Sequence, residues 1–222
     1  MSSALAASLT HDSIRALLAR DDDDAVTILR DAAAETDQFL RRTAIESIGR
    51  HPRGQALRTI ILAALTDPSD YVARTGCKVV EDWAWAEAHD VVAALLRSPS
   101  HATRHAAIRT LGAIWQDTDF QPLFHIYTRD PERAVRREAA WTLREHVGTS
   151  DWLQLFDAFR TDDPPRHRVW ACELAGTFGH SAFIPRLETL RSDRDGHVRT
   201  AAATAADALS RRELGQSAET SR

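Results

Sequence analysis

Lysine is almost missing from this chain: of its 28 basic residues all but Lys78 are arginine. Cysteine is nearly missing too, with Cys77 and Cys172 the only two. A disulfide-stapled scaffold is thereby excluded, and two thiols expected to be buried and reduced point to a reducing, cytoplasmic compartment. Glycine and proline are sparse, at 9 and 8 of 222 residues, which excludes a low-complexity or collagen-like chain and suits an ordered helical one. No apolar run approaches the roughly 18 residues that a membrane-spanning helix requires. The N-terminus lacks the basic and apolar regions of a secretion signal, so no export and no membrane partner are expected. A formal net charge of −4 means that the chain as a whole is no electrostatic magnet for nucleic acid. Gly-x-Ser-x-Gly, a phosphate loop, a dinucleotide fingerprint and Cys-x-x-Cys are all absent, which leaves no recognisable catalytic set.

What the chain does contain is a unit written six times. Its clearest copy is Val135-Arg136-Arg137-Glu138-Ala139-Ala140-Trp141-Thr142-Leu143. Taking Ala139 as the anchor, the equivalent small residues are Ala44, Gly76, Ala107, Ala171 and Ala202, spaced by 31 or 32 residues. A period this regular signals stacked supersecondary units. Four residues before the anchors stand Leu40, Val72, Thr103, Val135, His167 and Val198; four after stand Ile48, Val80, Leu111, Leu143, Ala175 and Ala206. On a helix these positions and the anchor share one face, so each copy carries a mostly apolar stripe with a small residue at its centre. The next position, from Ile45 and Cys77 to Cys172 and Ala203, widens the stripe. Because Cys77 and Cys172 lie three repeats apart, they are beyond disulfide reach.

Three residues before the anchor the column reads Arg41, Ala73, Arg104, Arg136, Arg168 and Arg199. Acidic residues precede the same helices at Asp37, Asp70, Glu132, Asp163 and Asp195. Such carboxylates either cap helix N-termini or meet the arginine of a neighbouring repeat, giving an Arg/Asp ladder that stitches the repeats together.

The pattern resembles the HEAT-repeat family, in the short form also seen in phycobilisome-lyase-type repeats. It is carried by Leu40-Arg41-Arg42-Thr43-Ala44 with Ile48-Gly49, by Arg104-His105-Ala106-Ala107 with Leu111-Gly112, and by Val198-Arg199-Thr200-Ala201-Ala202. The resemblance implies an all-α fold: a right-handed α-solenoid of stacked antiparallel helix pairs, with about six repeats and an N-terminal capping helix. It also implies that the second helix of each pair faces a concave groove. Residues 1–23 are read as the N-terminal cap, 24–211 as the repeat array, and 212–222 as a mobile tail, while Met1 to Leu9 is expected to be frayed. Thr10-His11-Asp12 is placed to cap a first helix over 13–20. The acidic run Asp21 to Asp24 fits the start of the next helix better than a metal site. First helices are expected near 25–34, 55–66, 87–97, 119–129, 151–160 and 182–191, bounded by turns at Asp67-Pro68, Ser98-Pro99, Asp130-Pro131 and Asp163-Pro164-Pro165. The arginine bias is what a GC-rich bacterial genome produces.

The outward side of each anchor helix, at offsets −2, +2 and +5, is basic in the middle of the array: Arg74, Lys78, Arg109, Arg137 and Arg144, with Trp141 among them. Exposed tryptophan with arginine is the composition of an interface hot spot, and also of a surface that stacks bases or contacts phosphates. Trp83 and Trp115 fall near the buried stripe and are expected in the core, Trp170 lies on a flank, Trp152 starts a first helix, and Trp85 is expected at the groove's rim. His101 and His105 stand at i, i+4 with no third ligand nearby, so no metal is expected. The chain also lacks the His-Glu pairs of the HEAT-like deoxyhypusine hydroxylases. A second resemblance, to the HEAT-like alkylpurine DNA glycosylases, rests on Trp141-Thr142-Leu143-Arg144-Glu145 and on Arg104-His105-Ala106-Ala107-Ile108. It implies that Trp141 and Arg144 border damaged DNA. The tryptophan that precedes the catalytic aspartate in that family has no counterpart here, which leaves Asp70 and Asp82 as substitutes. Bilin lyase activity rests on the repeat resemblance alone. The expected function is a scaffold without catalysis or cofactor, binding a protein partner through Arg74, Lys78, Arg109, Arg137, Trp141 and Arg144; the alternative is a DNA-binding or alkylation-repair protein using the same groove.

Overall fold

A computed structural model describes residues 9–220, with side-chain surroundings as far as Leu214; the residues expected to fray lie mostly outside this range. The described residues form two compact units, one up to Thr142 and one from Leu143. All of the regular structure among them is helical. In the first unit α1 (His11–Ala16) precedes the pairs α2 (Asp23–Ala32) with α3 (Gln38–Arg50), α4 (Arg58–Leu65) with α5 (Asp70–Trp83), and α6 (His89–Ala94) with α7 (His101–Ala113). Next come α8 (Phe120–Arg129) and α9 (Arg133–His146), the latter running across the unit boundary. The second unit continues with α10 (Trp152–Phe159), α11 (Pro165–Phe178), α12 (Ile184–Arg191) and α13 (Gly196–Thr220). Short 3₁₀ turns lead into several of the first helices. Within each unit the helices of a pair are joined by a few residues and pack against each other, and second helices stack on second helices, α3 on α5 on α7 and α11 on α13.

The repeat columns explain this packing. The anchors Ala44, Ala107, Ala139, Ala171 and Ala202 are fully buried, as are Ile48, Val80, Leu111, Leu143 and Ala175 one turn later. Small anchors let helices close on one another. A Cβ added at Gly76 would stand 3.3 Å from the backbone nitrogen of Leu65 on α4, and one at Gly49 only 2.6 Å from Val79 Cγ2 on α5. The buried face is wider than the columns −4, 0, +1 and +4. Ser47, Val79, Thr110, Thr142, Leu174 and Ala205, all at offset +3, are buried as well. Thr110 shows how a polar residue is tolerated there: its hydroxyl lies 3.0 Å from the carbonyl oxygen of Ala106 and 3.2 Å from that of Cys77 on α5.

Helix starts follow local chemistry. Thr10 Oγ1 accepts a hydrogen bond from the Ser13 backbone N–H and Ser13 Oγ accepts one from the Thr10 backbone N–H, closing a capping box on α1. Asp22 accepts from the Ala25 N–H at the start of α2; that bond, with a stronger one from Arg20, holds its carboxyl down at about 2. The four proline turns fall between helices, as their positions predict, except that Pro165 is itself the first residue of α11.

The Arg/Asp ladder exists, but with carboxylates other than the ones read from the sequence. Arg41 on α3 donates through Nε and Nη2 to both oxygens of Asp67, at 2.8 Å each, in the turn of the next repeat. Its Nη1 donates to the carbonyls of Glu35 and Thr36 in its own turn. Arg104 repeats the arrangement with Asp130 (2.8 and 3.0 Å) and with the Ser98 and Pro99 carbonyls. In the second unit Arg168 repeats it with Asp193 and the carbonyls of Asp162 and Asp163. Each aspartate in turn accepts the backbone N–H two residues on, from Ser69, Glu132 and Asp195. The paired aspartates stand nine residues before the anchor of the next repeat, whereas Asp37 and Asp195, nearer their helices, cap them through the N–H groups of Phe39 and His197. The bonds outweigh the burial that acts to raise Asp67 and Asp130, and hold both carboxyls below the usual range; the Arg168 fork does the same for Asp193.

One further expectation is corrected. Trp85, expected at the groove's rim, is 7% exposed and belongs to the core, whereas Trp83 is half-buried and donates through Nε1 to the Gly49 carbonyl. The cause is a Schellman turn: α5 stops at Trp83, Ala84 takes the left-handed conformation (φ 44°), and the Trp85 N–H bonds back to Val80 O. Helical offsets therefore cease to apply beyond Trp83. At the other end, regular structure continues past Arg211: α13 runs to Thr220, and Arg212 reaches back to the carbonyl oxygens of Gly176, Thr177 and Gly179.

The Arg104–Asp130 pair is nearly enclosed, with side-chain exposures of 11% and 5%. Removing one partner strands a buried charge, so Arg104→Ala and Asp130→Ala are each expected to lower unfolding free energy by about 3–5 kcal/mol, and the double change to Met and Leu by much less; urea titration measures all three. Because the folded-state carboxyl pKa values of Asp67, Asp130 and Asp193 lie below the unfolded value of 3.8, their stabilisation is complete above that value. It is lost as pH falls through the depressed values. Urea midpoints measured from pH 7 to pH 3 should therefore drop at the acid end, and less steeply in Asp130→Asn.

Candidate functional site

The outward columns of the second helices come together along the first unit. Between α3 and α5 lies an open groove of about 450 Å³, lined among others by Arg42, Glu46, Tyr71, Arg74, Lys78 and Asp82. Arg42 and Glu46 also line a neighbouring depression of about 430 Å³ that includes His11 and Phe39. Arg74 and Lys78 also line one of about 220 Å³ with Glu81, His105 and Arg109. Shared walls make the three a continuous trough over α1, α3, α5 and α7.

The trough is not the basic strip that arginine counting suggests. Lys78 pairs with Asp82 one turn along α5. Arg109 donates to Glu81 Oε1 at 2.9 Å across the α5–α7 contact, and His105 lies 3.3 Å from Glu138. Arg144, in the second unit, pairs with Glu145 and donates to Glu173 at 3.1 Å. Burial acts to lower its pKa, and the two carboxylates more than compensate, raising it. Each of these cations is matched by a carboxylate on its own or the adjacent helix, so the expected excess of positive charge shrinks to Arg74 and Arg137, to which the structure adds Arg42. Among the described residues none of those three has an ion-pair partner; Arg42 and Arg137 are exposed, and Arg74 lies over the Tyr71 ring at 5.1 Å while its Nε donates to the Asp70 carbonyl. Trp141 is 47% exposed, one turn beyond Arg137 on α9.

Two residues of this surface escaped the sequence reading. Phe39 and Tyr71 are each 48% exposed, with ring centroids 6.1 Å apart. Both occupy offset −5, a column that continues Ala102, Ala134, Arg166 and His197. The signal was present: a phenyl or phenol ring twice, five residues before the anchor, where the other four copies have none.

The residues set aside for catalysis are engaged elsewhere. Asp82 holds Lys78, and Asp70 lies 3.4 Å from the Thr103 hydroxyl. Among the described residues no group of three or more His, Cys, Asp or Glu side chains could hold a metal ion, and no helix is long and apolar enough to cross a membrane.

Comparison with known proteins places this geometry. Residues 57–144 match the family model of HEAT repeats. An archaeal HEAT-like repeats protein from Thermococcus onnurineus NA1 superposes with a TM-score of 0.53 at 14% identity, over 91% of this chain and 97% of that one. A designed armadillo repeat protein gives 0.51 at 16% identity over 82% and 98%. An engineered protein gives 0.58 at 16% identity over 94% of this chain and 66% of that one. At such identities the likeness is one of fold. A search of curated proteins finds no match.

The two thiols are free and enclosed in the folded chain. Burial, with a small opposing effect of the Thr110 hydroxyl, pushes the Cys77 thiol up to about 12, and burial pushes Cys172 up to about 12 as well. Both are fully enclosed, so the reactive thiolate is scarce and inaccessible at neutral pH. A disulfide-exchange dye at pH 8 should label neither cysteine until denaturant unfolds the chain; rapid native labelling would contradict the burial.

Proposed function

We propose that this HEAT-like repeat protein is a scaffold without catalysis of its own, which binds a partner protein through the outward face of its second helices. On this reading residues 24–211 serve as the array, and Arg74, Lys78, Arg109, Arg137, Trp141 and Arg144 belong to the binding face. The observation that carries it is the exposure of Trp141 at 47% beside Arg137. Stacking accounts for the apolar columns and for the buried Arg–Asp pairs, whereas the equivalent outward position in the other five repeats holds Glu46, Lys78, Arg109, Glu173 or Thr204 and no aromatic. Aromatic and arginine side chains are the residues that dominate binding energy at protein interfaces. The DNA-binding alternative draws less support, because Lys78, Arg109 and Arg144, which it requires to neutralise phosphates, are already matched by carboxylates.

Affinity capture with the wild-type chain, an Arg137→Ala/Trp141→Ala variant and an Arg129→Ala control on α8 tests the assignment. A specific partner should bind wild type and control equally and the groove variant at least about tenfold more weakly. A partner that binds all three alike places the interface elsewhere. Salt-sensitive binding of plain duplex DNA, lost in the same variant, would instead favour the nucleic-acid reading.

A further inference from the structure

The first two repeats carry a feature that the other four lack. Phe39 and Arg42 on α3, and Tyr71 and Arg74 on α5, form an aromatic-x-x-Arg pair at the same offsets in adjacent helices. At these offsets the later repeats have Ala102 and His105, Ala134 and Arg137, Arg166 and Val169, His197 and Thr200. All six copies have the stacking columns and only two have this pair, so the pair is not a requirement of stacking. In repeat one and repeat two it presents two half-exposed rings 6.1 Å apart and two arginines. The carboxylates lining the same groove are taken: Glu46 is bonded by Arg50 at 3.0 Å, and Asp82 by Lys78. Arg42 has no hydrogen bond or ion pair among the described residues, and Arg74 has only the Tyr71 ring and a backbone carbonyl.

We infer that the α3–α5 groove is a docking site for an extended acidic peptide segment of a partner protein, with Arg42 and Arg74 each taking a carboxylate and an apolar side chain between them resting on Phe39 and Tyr71. The inference rests on the partner-binding reading above and adds the site and the chemistry of its occupant. Equivalent positions on stacked helices are separated by the interhelical spacing of about 8–10 Å. A polyproline-type chain brings residues i and i+3 to the same side at about 9 Å, so two carboxylates three residues apart match the two guanidiniums. Each guanidinium presents a planar fork suited to a carboxylate, and the exposed rings offer apolar area at little entropic cost. A nucleic-acid strand fits less well, because it carries a charge at every residue and its intervening phosphates would run past Glu46 and Asp82, whereas the peptide needs a carboxylate only at each of the two arginines.

Selection from a displayed library of random dodecapeptides against the full-length chain tests this directly. Enriched peptides should carry two acidic residues about three apart with an aromatic or aliphatic residue between them. Synthetic versions read by fluorescence anisotropy should bind Phe39→Ser, Arg42→Glu and Arg74→Glu at least about tenfold more weakly than wild type. Circular dichroism on the same variants confirms folding, which these exposed positions should not disturb. Enrichment without an acidic pair, failure to enrich any peptide, or binding indifferent to all three changes overturns the site. Peptides lost only with Arg137→Ala/Trp141→Ala would overturn it while leaving the scaffold reading intact. A labelled oligothymidylate bound by wild type and lost with the same three changes would overturn the peptide in favour of nucleic acid.

Discussion

The structure depends on what a single arginine does at the junction of two repeats. The guanidinium three residues before the anchor has two jobs: one nitrogen closes off carbonyl groups left at the end of its own turn, and the opposite edge grips the aspartate of the following turn. The aspartate then orders its own turn by accepting the next free N–H. Five donors in a planar fork make this possible, and lysine has no equivalent geometry. The pair is buried enough that desolvation offsets much of its attraction. A bidentate pair with two backbone anchors has one geometry, and it holds the arginine to one position on the following turn.

The junction between the second and third repeats makes the same point by omission. Ala73 stands where the arginine belongs, and Ser98 stands where the aspartate belongs. Both halves of the device are absent together, as the cost of burying one charge without the other demands. Other contacts hold that junction: the Thr110 hydroxyl near the Cys77 carbonyl, the Thr103 hydroxyl near Asp70, and the Arg109–Glu81 pair.

Much of the fold was legible because stacking imposes the same demand on every copy. A small anchor flanked by apolar residues at four-residue spacing, recurring every 31 or 32 residues, admits few other readings. What stayed hidden depended on single residues acting against type. Ala84 ends α5 in a left-handed conformation that glycine would have advertised, and the exchange of roles between Trp83 and Trp85 follows from it. The ladder's true carboxylates escaped notice because the aspartates nearest the helices looked like partners, while those two residues earlier carry the bonds. For the candidate site, the columns −2, +2 and +5 include Arg74, Lys78 and Arg109, which line the trough, and Arg137, Trp141 and Arg144, which do not. Their charge balance was not legible, since the neutralising carboxylates of Arg109 and Arg144 arrive from repeats 28 and 29 residues away.

Repetition itself separates the two kinds of information in this chain. A residue that recurs in every copy answers to stacking, and changing it disturbs a junction. A residue that departs from its column is not demanded by the stacking that every copy shares, and its exposure then carries meaning. Cys77 and Cys172 follow their column and are buried and inert. Phe39, Tyr71 and Trp141 depart from theirs and face outward on second helices. A hydrophobic surface of this kind is costly in water, and the stacking contacts do not recover that cost. On the proposed reading contact with a partner would recover it, which makes the exceptions to the repeat, and not the repeat, the surface where binding is to be sought.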